Sequence, residues 1–194
     1  QCAQIMQMTG GSILELGGGS GVLGSDILLE LDRMDHTLDE YLFFEPSAAL
    51  TGRQKDRIAR LAPNIRSKVR WVSELPKNFT GIILANEVFD ALPVHLLSLN
   101  VNGWQERGVV VDNESLIWQD RPIEDERLHH AIDGLDVNFP YVTEVCLAVN
   151  SLVNELSQSL DVGAILAFDY GYEHSSYYHP NRRDGTLSCH YQHK

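Results

Sequence analysis

The chain has 194 residues, 43% hydrophobic and 22% charged, with a formal net charge of −12. That size and balance predict a globular domain with its own core, and the acidity excludes nucleic acid as the main partner, because phosphate binding needs a basic surface. Cys2, Cys146 and Cys189 lie far apart with no C-x-x-C spacing, so no disulfide framework or zinc site is indicated and a reducing compartment is expected.

In chain order, Gln1 to Met8 reads as the end of a helix stopped by Gly10-Gly11, so the chain reads as a fragment. No apolar run approaches the length of a membrane span, and no signal peptide is visible. Ser12 to Leu16 is a short apolar strand. From Val22 the pattern turns helical, with Leu23, Ile27, Leu28, Leu31 and Met34 on one face. YLFFE, 41 to 45, is a second strand, continuously apolar as parallel strands covered on both faces are. Ser47 is the expected N-cap of the next helix, with Leu50, Ile58 and Leu61 on its apolar side. VRWV, 69 to 72, and GIILA, 81 to 85, complete a βαβαβ…β order, the grammar of a doubly wound parallel α/β sheet.

After Pro93 the pattern changes. Three strand-like runs punctuated by Asn102-Gly103 and Asp112-Asn113 predict an antiparallel β-meander, with Trp104 and Trp118 as cross-strand partners. The meander and the loop behind it form an insertion of about 95–142 in a single domain. Thr143 to Leu160 is expected to be a helix, with Val145, Val149, Leu152, Leu156 and Leu160 buried and Gly163 ending it. AILAFDYG is then a fifth buried strand. The last stretch has loop chemistry followed by a strand at Leu187 to Tyr191. Cys189, His190 and His193 alternate faces there, so no metal site is expected.

Ligands of open parallel sheets bind beyond the C-terminal strand ends. Those ends carry Glu15 to Gly21, Glu45, Ser73-Glu74, Asn86 to Asp90 and Asp169 to Gly171, all polar or glycine-rich after apolar runs. The first of them holds two overlapping signatures. Gly17, Gly19 and Gly21 read G-x-G-x-G, the S-adenosylmethionine type, whereas Gly19, Gly21 and Gly24 read G-x-G-x-x-G, the dinucleotide type. Glu45 suits the ribose hydroxyls of either cofactor. The strand ends at Leu16, which places the turn at Gly17, and Glu15 beside it suits a cationic cofactor better than a pyrophosphate. Both points favour the sulfonium register, which leaves Gly24 as a close-packing position in the helix.

ILELGGGSG, FFEPS, ILANEVFDALPVH, YVTEVC, AFDYGYEHSSYYHP and DGTLSCHYQHK together resemble the MidA-like family of class I methyltransferases. That family includes the mitochondrial complex I assembly arginine methyltransferase and its bacterial relatives. The resemblance runs from about residue 10 to the last residue. It implies a class I Rossmann-like fold, S-adenosyl-L-methionine as methyl donor and, for the mitochondrial relatives, a protein arginine as acceptor. The partner it implies is a protein substrate, a respiratory-complex subunit or another arginine-bearing protein. It further implies that Glu15, Gly17, Gly19 and Gly21 meet the methionine end of the cofactor, Glu45 the ribose, and Ser73 and Glu74 the adenine. Asn86, Glu87 and Asp90 would face the reacting methyl. Many relatives have an acid where this chain has Ser73, and family members extend beyond both of its ends.

An arginine acceptor needs carboxylates to hold its forked, permanently charged guanidinium. Glu87, Asp90, Glu144 and Asp169 are the acids expected to do so. Glu144 is also explained by the first turn of its expected helix, Asp90 by a turn, and Tyr177, Tyr178 and Tyr191 by packing more readily than by a substrate cleft. Two other functions are compatible with the sequence, an NAD-type oxidoreductase and a non-catalytic assembly factor docking through the meander. The expected location is cytoplasmic in a bacterium and the mitochondrial matrix in a eukaryote.

Overall fold

The computed structural model describes residues 1–188. The chain divides into two compact units: Gln1–Ala91 with Ser151–Tyr170, and Leu92–Asn150 with the segment from Gly171 onward. The second unit is thus larger than the insertion read from the sequence.

The first unit holds a five-stranded sheet ordered β3-β2-β1-β4-β9. Its strands are β1 (Ser12–Leu16), β2 (Tyr41–Phe44), β3 (Val69–Val72), β4 (Phe79–Asn86) and β9 (Leu160–Phe168). All neighbours run parallel, and the order reverses between β1 and β4, where Leu16 stands beside Ala85. Alternation along the strands feeds two cores. Ile13, Tyr41, Phe43, Ile82 and Leu84 pack with Met6 of α1 (Cys2–Thr9), Leu28 and Leu31 of α2 (Val22–Arg33), Ile58 of α3 (Ala48–Ile58) and Ile65 of α4 (Pro63–Arg66). Leu14, Leu16, Leu42, Ile83 and Ala85 pack on the other face with Leu156 of α6 (Ala148–Ser159).

Ser47 caps α3 as expected, its Oγ accepting from the Leu50 amide at 3.4 Å. The α2 face differs from its apolar spacing. Gly24, Ser25, Leu28 and Leu31 are buried, whereas Leu23 and Met34 are 37% and 48% exposed. Gly24 is buried because Phe43 and Glu15 project against it.

The second unit carries a four-stranded antiparallel sheet ordered β7-β6-β5-β8. Its strands are β5 (His95–Asn100), β6 (Gly103–Asp112), β7 (Ser115–Arg121) and β8 (Tyr141–Val145), with α5 (Glu126–Ile132) between the last two. The hairpin turn sits one residue later than read from sequence, with Asn113 and Glu114 both at positive φ as a type I′ turn requires. Trp104 lies opposite Leu99 and Trp118 opposite Val109.

Two expectations are corrected here. Thr143 to Leu160 is not one helix: Tyr141–Val145 is strand β8, and α6 starts only at Ala148. β-Branched Val142, Thr143 and Val145 favour the strand, and pairing along β5 completes it. Glu144 is therefore a strand residue, not a helix-dipole acid. Gly163 does not end a helix either. It lies inside β9 opposite Gly81, where an added Cβ would collide with the Gly81 carbonyl.

Candidate functional site

The chain leaves β1 through a turn in which Gly17, Gly19 and Gly21 have φ of 56°, 54° and 75°. These left-handed conformations suit glycine and strain other residues. Gly21 is the N-cap of α2, so the turn delivers the chain to a helix N-terminus. A Cβ built on Gly19 meets nothing within 4 Å, so the cradle is open there. Gly24, one turn into α2, is closed: its added Cβ would lie 2.5 Å from Glu15 Oε2 and 2.6 Å from Phe43 Cζ.

Glu15 lies beneath this turn, 2% exposed, with the Tyr41 phenol donating to its Oε2 at 2.8 Å. Burial pushes its carboxyl up to about 7, against the pull of the Tyr41 hydrogen bond, and Glu45 adds a smaller upward push. The group is thus placed to underpin the turn.

Glu45 follows β2 and is half-buried. Its Oε1 accepts from the Ser47 amide at 3.0 Å and its Oε2 from Gln54 Nε2 at 3.2 Å. Both oxygens are fixed in place, and each keeps acceptor capacity for another donor. Ser73 and Glu74 follow β3 and are exposed.

Asn86 ends β4, and Glu87, at φ 50°, turns the chain away. Asn86, Glu87 and Asp90 are exposed. Neither the Glu87 nor the Asp90 carboxylate accepts a hydrogen bond from the described residues. The segment that carries them is fastened to the end of β9. The Glu87 amide donates to the Phe168 carbonyl at 2.8 Å, and Asp169 Oδ2 accepts from the Phe89 and Asp90 amides at 2.7 and 3.2 Å. Asp169 Oδ1 accepts from the Tyr170 amide at 2.8 Å. Asp169 thereby organises the loop that bears the two free acids.

Glu144 lies in the second unit. Its Oε1 accepts from the Thr186 and Leu187 amides at 2.7 and 2.9 Å, and its Oε2 from the Tyr177 and Thr186 hydroxyls at 2.9 and 3.0 Å. Both oxygens are committed to holding the 177–187 segment. Tyr177 and Tyr178 pack edge to face, their ring centroids 5.0 Å apart. Tyr191, Cys189, His190 and His193, with most of the strand expected at 187–191, lie outside the described residues.

Sequence reasoning missed three residues here. Gln54, Arg57 and Trp71 surround the glycine turn: Gln54 Nε2 donates to the Gly19 carbonyl at 3.0 Å and Arg57 Nε to the Ser20 carbonyl at 3.2 Å. Trp71 Nε1 donates to Gln54 Oε1 at 2.9 Å. A signal was present, since Gln54 sits four residues from both Leu50 and Ile58, a polar side chain on an apolar stripe.

A family model of S-adenosyl-L-methionine-dependent methyltransferases matches residues 1–194. The chain belongs to that family. S-adenosyl-L-methionine is the cofactor of the family. Two crystal structures of COG1565 superfamily proteins from Burkholderia thailandensis are 36% identical and cover 100% of this chain. One is native, with a TM-score of 0.93 and 52% of its own chain covered. The other is bound to S-adenosyl-homocysteine, with a TM-score of 0.92 and 50% covered. Among curated relatives, the mitochondrial protein arginine methyltransferase NDUFAF7 of Danio rerio is 28% identical over 198 residues, 83% of this chain and 44% of its own length. The Rattus norvegicus protein of that name is 27% identical over 218 residues, 94% of this chain and 46% of its own. The chain therefore spans about half the length of the relatives it matches. No helix among the described residues is long and apolar enough to cross a membrane.

Proposed function

We propose that the chain is the cofactor-binding part of a methyltransferase that acts on a protein arginine side chain. The observation that carries this reading is the juxtaposition at the sheet's switch point. The open glycine cradle ends β1, and two exposed, unengaged carboxylates, Glu87 and Asp90, follow the adjacent strand β4. The names of the fish and rat relatives support arginine as the acceptor.

The cradle fits S-adenosyl-L-methionine, since a ligand can approach the backbone at Gly19 where a side chain would stand. Gly17, Gly19 and Gly21 receive the methionine end, with Glu15 underpinning them. Glu45 accepts hydrogen bonds from the ribose hydroxyls, Ser73 and Glu74 border the adenine, and Asn86 lies on the methyl side. When bound, the cofactor supplies an electrophilic methyl carbon. The chain's own part is orientation and charge. Glu87 and Asp90 accept the forked donors of the guanidinium and localise its positive charge, so that one nitrogen becomes nucleophilic as it attacks. One of these carboxylates then takes the proton released from that nitrogen. Asp169 keeps both acids in place through the Phe89 and Asp90 amides.

The acceptor is a protein, with a respiratory-complex subunit one candidate, and the location is the mitochondrial matrix in a eukaryote or the cytoplasm in a bacterium. Transfer of labelled methyl groups into candidate proteins, with mass-spectrometric assignment of the modified residue, tests the proposal. A Glu87→Gln, Asp90→Asn double variant should lose about 100-fold or more in transfer rate. Its S-adenosylhomocysteine affinity should stay within about threefold. Equal labelling by both proteins would remove the two acids from the mechanism. Label on a residue other than arginine would overturn the acceptor.

A further inference from the structure

We propose that Gln54 is a positioning residue of the cofactor site, locking the glycine turn and the ribose-binding acid into one unit, with Trp71 fixing its orientation. This inference rests on the proposed role of Glu45. Gln54 is fully buried on α3. Its Nε2 donates both to the Gly19 carbonyl at 3.0 Å and to Glu45 Oε2 at 3.2 Å, while its Oε1 accepts from Trp71 Nε1 at 2.9 Å.

The chemistry of the partners permits one orientation of the amide. An indole nitrogen only donates, whereas a carbonyl and an ionised carboxylate only accept. Rotating the amide by half a turn would set its NH2 against the Trp71 NH and its oxygen against two acceptors. Trp71, stacked on Phe43 with ring centroids 5.6 Å apart, is itself held in place. The device therefore runs from β3 through Gln54 to both the turn after β1 and the acid after β2. Gly21 belongs to it as well, because an added Cβ there would press on Gln54 Cγ at 3.2 Å. A Gln54 amide aimed this way directs the peptide plane at Gly19 and leaves the outer lone pairs of Glu45 for the ribose hydroxyls.

Calorimetric titration of the full chain with S-adenosylhomocysteine tests this, using wild type, Gln54→Met, Gln54→Glu, Trp71→Phe and Glu45→Gln. Gln54→Met keeps the volume but removes both donors, and it should weaken binding about tenfold. Trp71→Phe frees the amide to rotate and should cost about threefold. Gln54→Glu gives the readout that packing alone would not produce. The introduced carboxyl faces Glu45, with Glu15 beneath the turn, and Lys55, over the Trp71 ring at 5.5 Å, and Arg57 are the nearby cations. Protonated, the new group can donate to one of the two acceptors while its carbonyl still accepts from Trp71; ionised, it repels Glu45. Affinity in this variant should therefore recover toward wild type as pH falls from about 8 to about 5.5, over and above any change in wild type. Wild-type affinity in both Gln54→Met and Trp71→Phe, with Glu45→Gln weakened, would overturn the positioning role and leave the ribose assignment standing. An unaffected Glu45→Gln variant would instead remove the ribose assignment, and the inference with it. Weakening of the Gln54→Glu variant that does not change with pH would also overturn the positioning role.

Discussion

The phenol of Tyr41 donates to Glu15 Oε2 at 2.8 Å, joining neighbouring strands beneath the glycine turn with both side chains sealed from solvent. A carboxyl in that position is stable as the acid and costly as the anion. Its proton is held until about pH 7 in the folded protein, against an ordinary value of 4.5. Between those values the folded state binds more protons than the unfolded chain, so this group's contribution lowers stability as pH rises. The loss amounts to about 3 kcal/mol and levels off above pH 7. Glu15→Gln keeps an acceptor for Tyr41 and removes the titration. Denaturant unfolding at several pH values should therefore show the variant gaining on wild type across this window and holding its advantage above it. Parallel pH profiles would show that Glu15 is not a buried titrating group.

Gly24→Ala tests the other side of the same packing. Alanine favours a helix over glycine by about 1 kcal/mol. Here the new methyl would press into Glu15 Oε2 and Phe43 Cζ, and Phe43, fully buried, has little room to move. Overpacking of this kind costs about 1–3 kcal/mol, so we expect a net destabilisation of about 1 kcal/mol, measured by denaturant midpoint. A stabilised variant would mean that the α2–sheet contact is looser than these distances show.

The parallel sheet was legible because its strands are short, mostly apolar runs followed at once by glycine or a polar residue. ILEL, YLFF, VRWV and GIILA carry their boundaries in their composition, and Ser47 carries its cap. Thr143–Val145 misled because Val145 continues the apolar spacing of Val149 and Leu152, so local periodicity fits a helix. The strand is decided by pairing with His95–Leu99, about fifty residues earlier in the chain. Of the candidate site, the strand-end acids could be read from position alone. Which acids are free and which are engaged could not: what sets Asp169 and Glu144 apart from Glu87 and Asp90 is the amides and hydroxyls that the fold brings to them. Gln54 was hidden for the same reason, since its partners come from three separate loops and strands.

Asp169 is expected to act through the loop after β4. Asp169→Ala removes the acceptor for the Phe89 and Asp90 amides, and exchange at both should accelerate about tenfold or more in hydrogen-exchange measurements. Methyl transfer should fall about tenfold while S-adenosylhomocysteine affinity stays within about threefold. Asp169→Asn retains a carbonyl acceptor and should recover part of the loss. Slower transfer with unchanged exchange at both amides would make Asp169 a substrate-facing acid instead.

Glu144 offers the reverse case, an acid whose position in the sequence looked functional and whose four hydrogen bonds look structural. Removing it strands the Thr186 and Leu187 amides and leaves the Tyr177 hydroxyl only the backbone carbonyl of residue 144, at 3.4 Å. The Tyr177 phenol is half-buried and pushed up to about 12, chiefly by burial, so it stays protonated and continues to need an acceptor. Glu144→Ala should therefore destabilise the second unit by about 2–4 kcal/mol. The Thr186 and Leu187 amides should lose exchange protection, with cofactor affinity within about threefold of wild type. Glu144→Gln, which keeps one oxygen, should fall between the two. If instead methyl transfer collapsed while exchange at Thr186 and Leu187 stayed slow, the carboxylate would be serving the acceptor, and the hydrogen bonds would be its support.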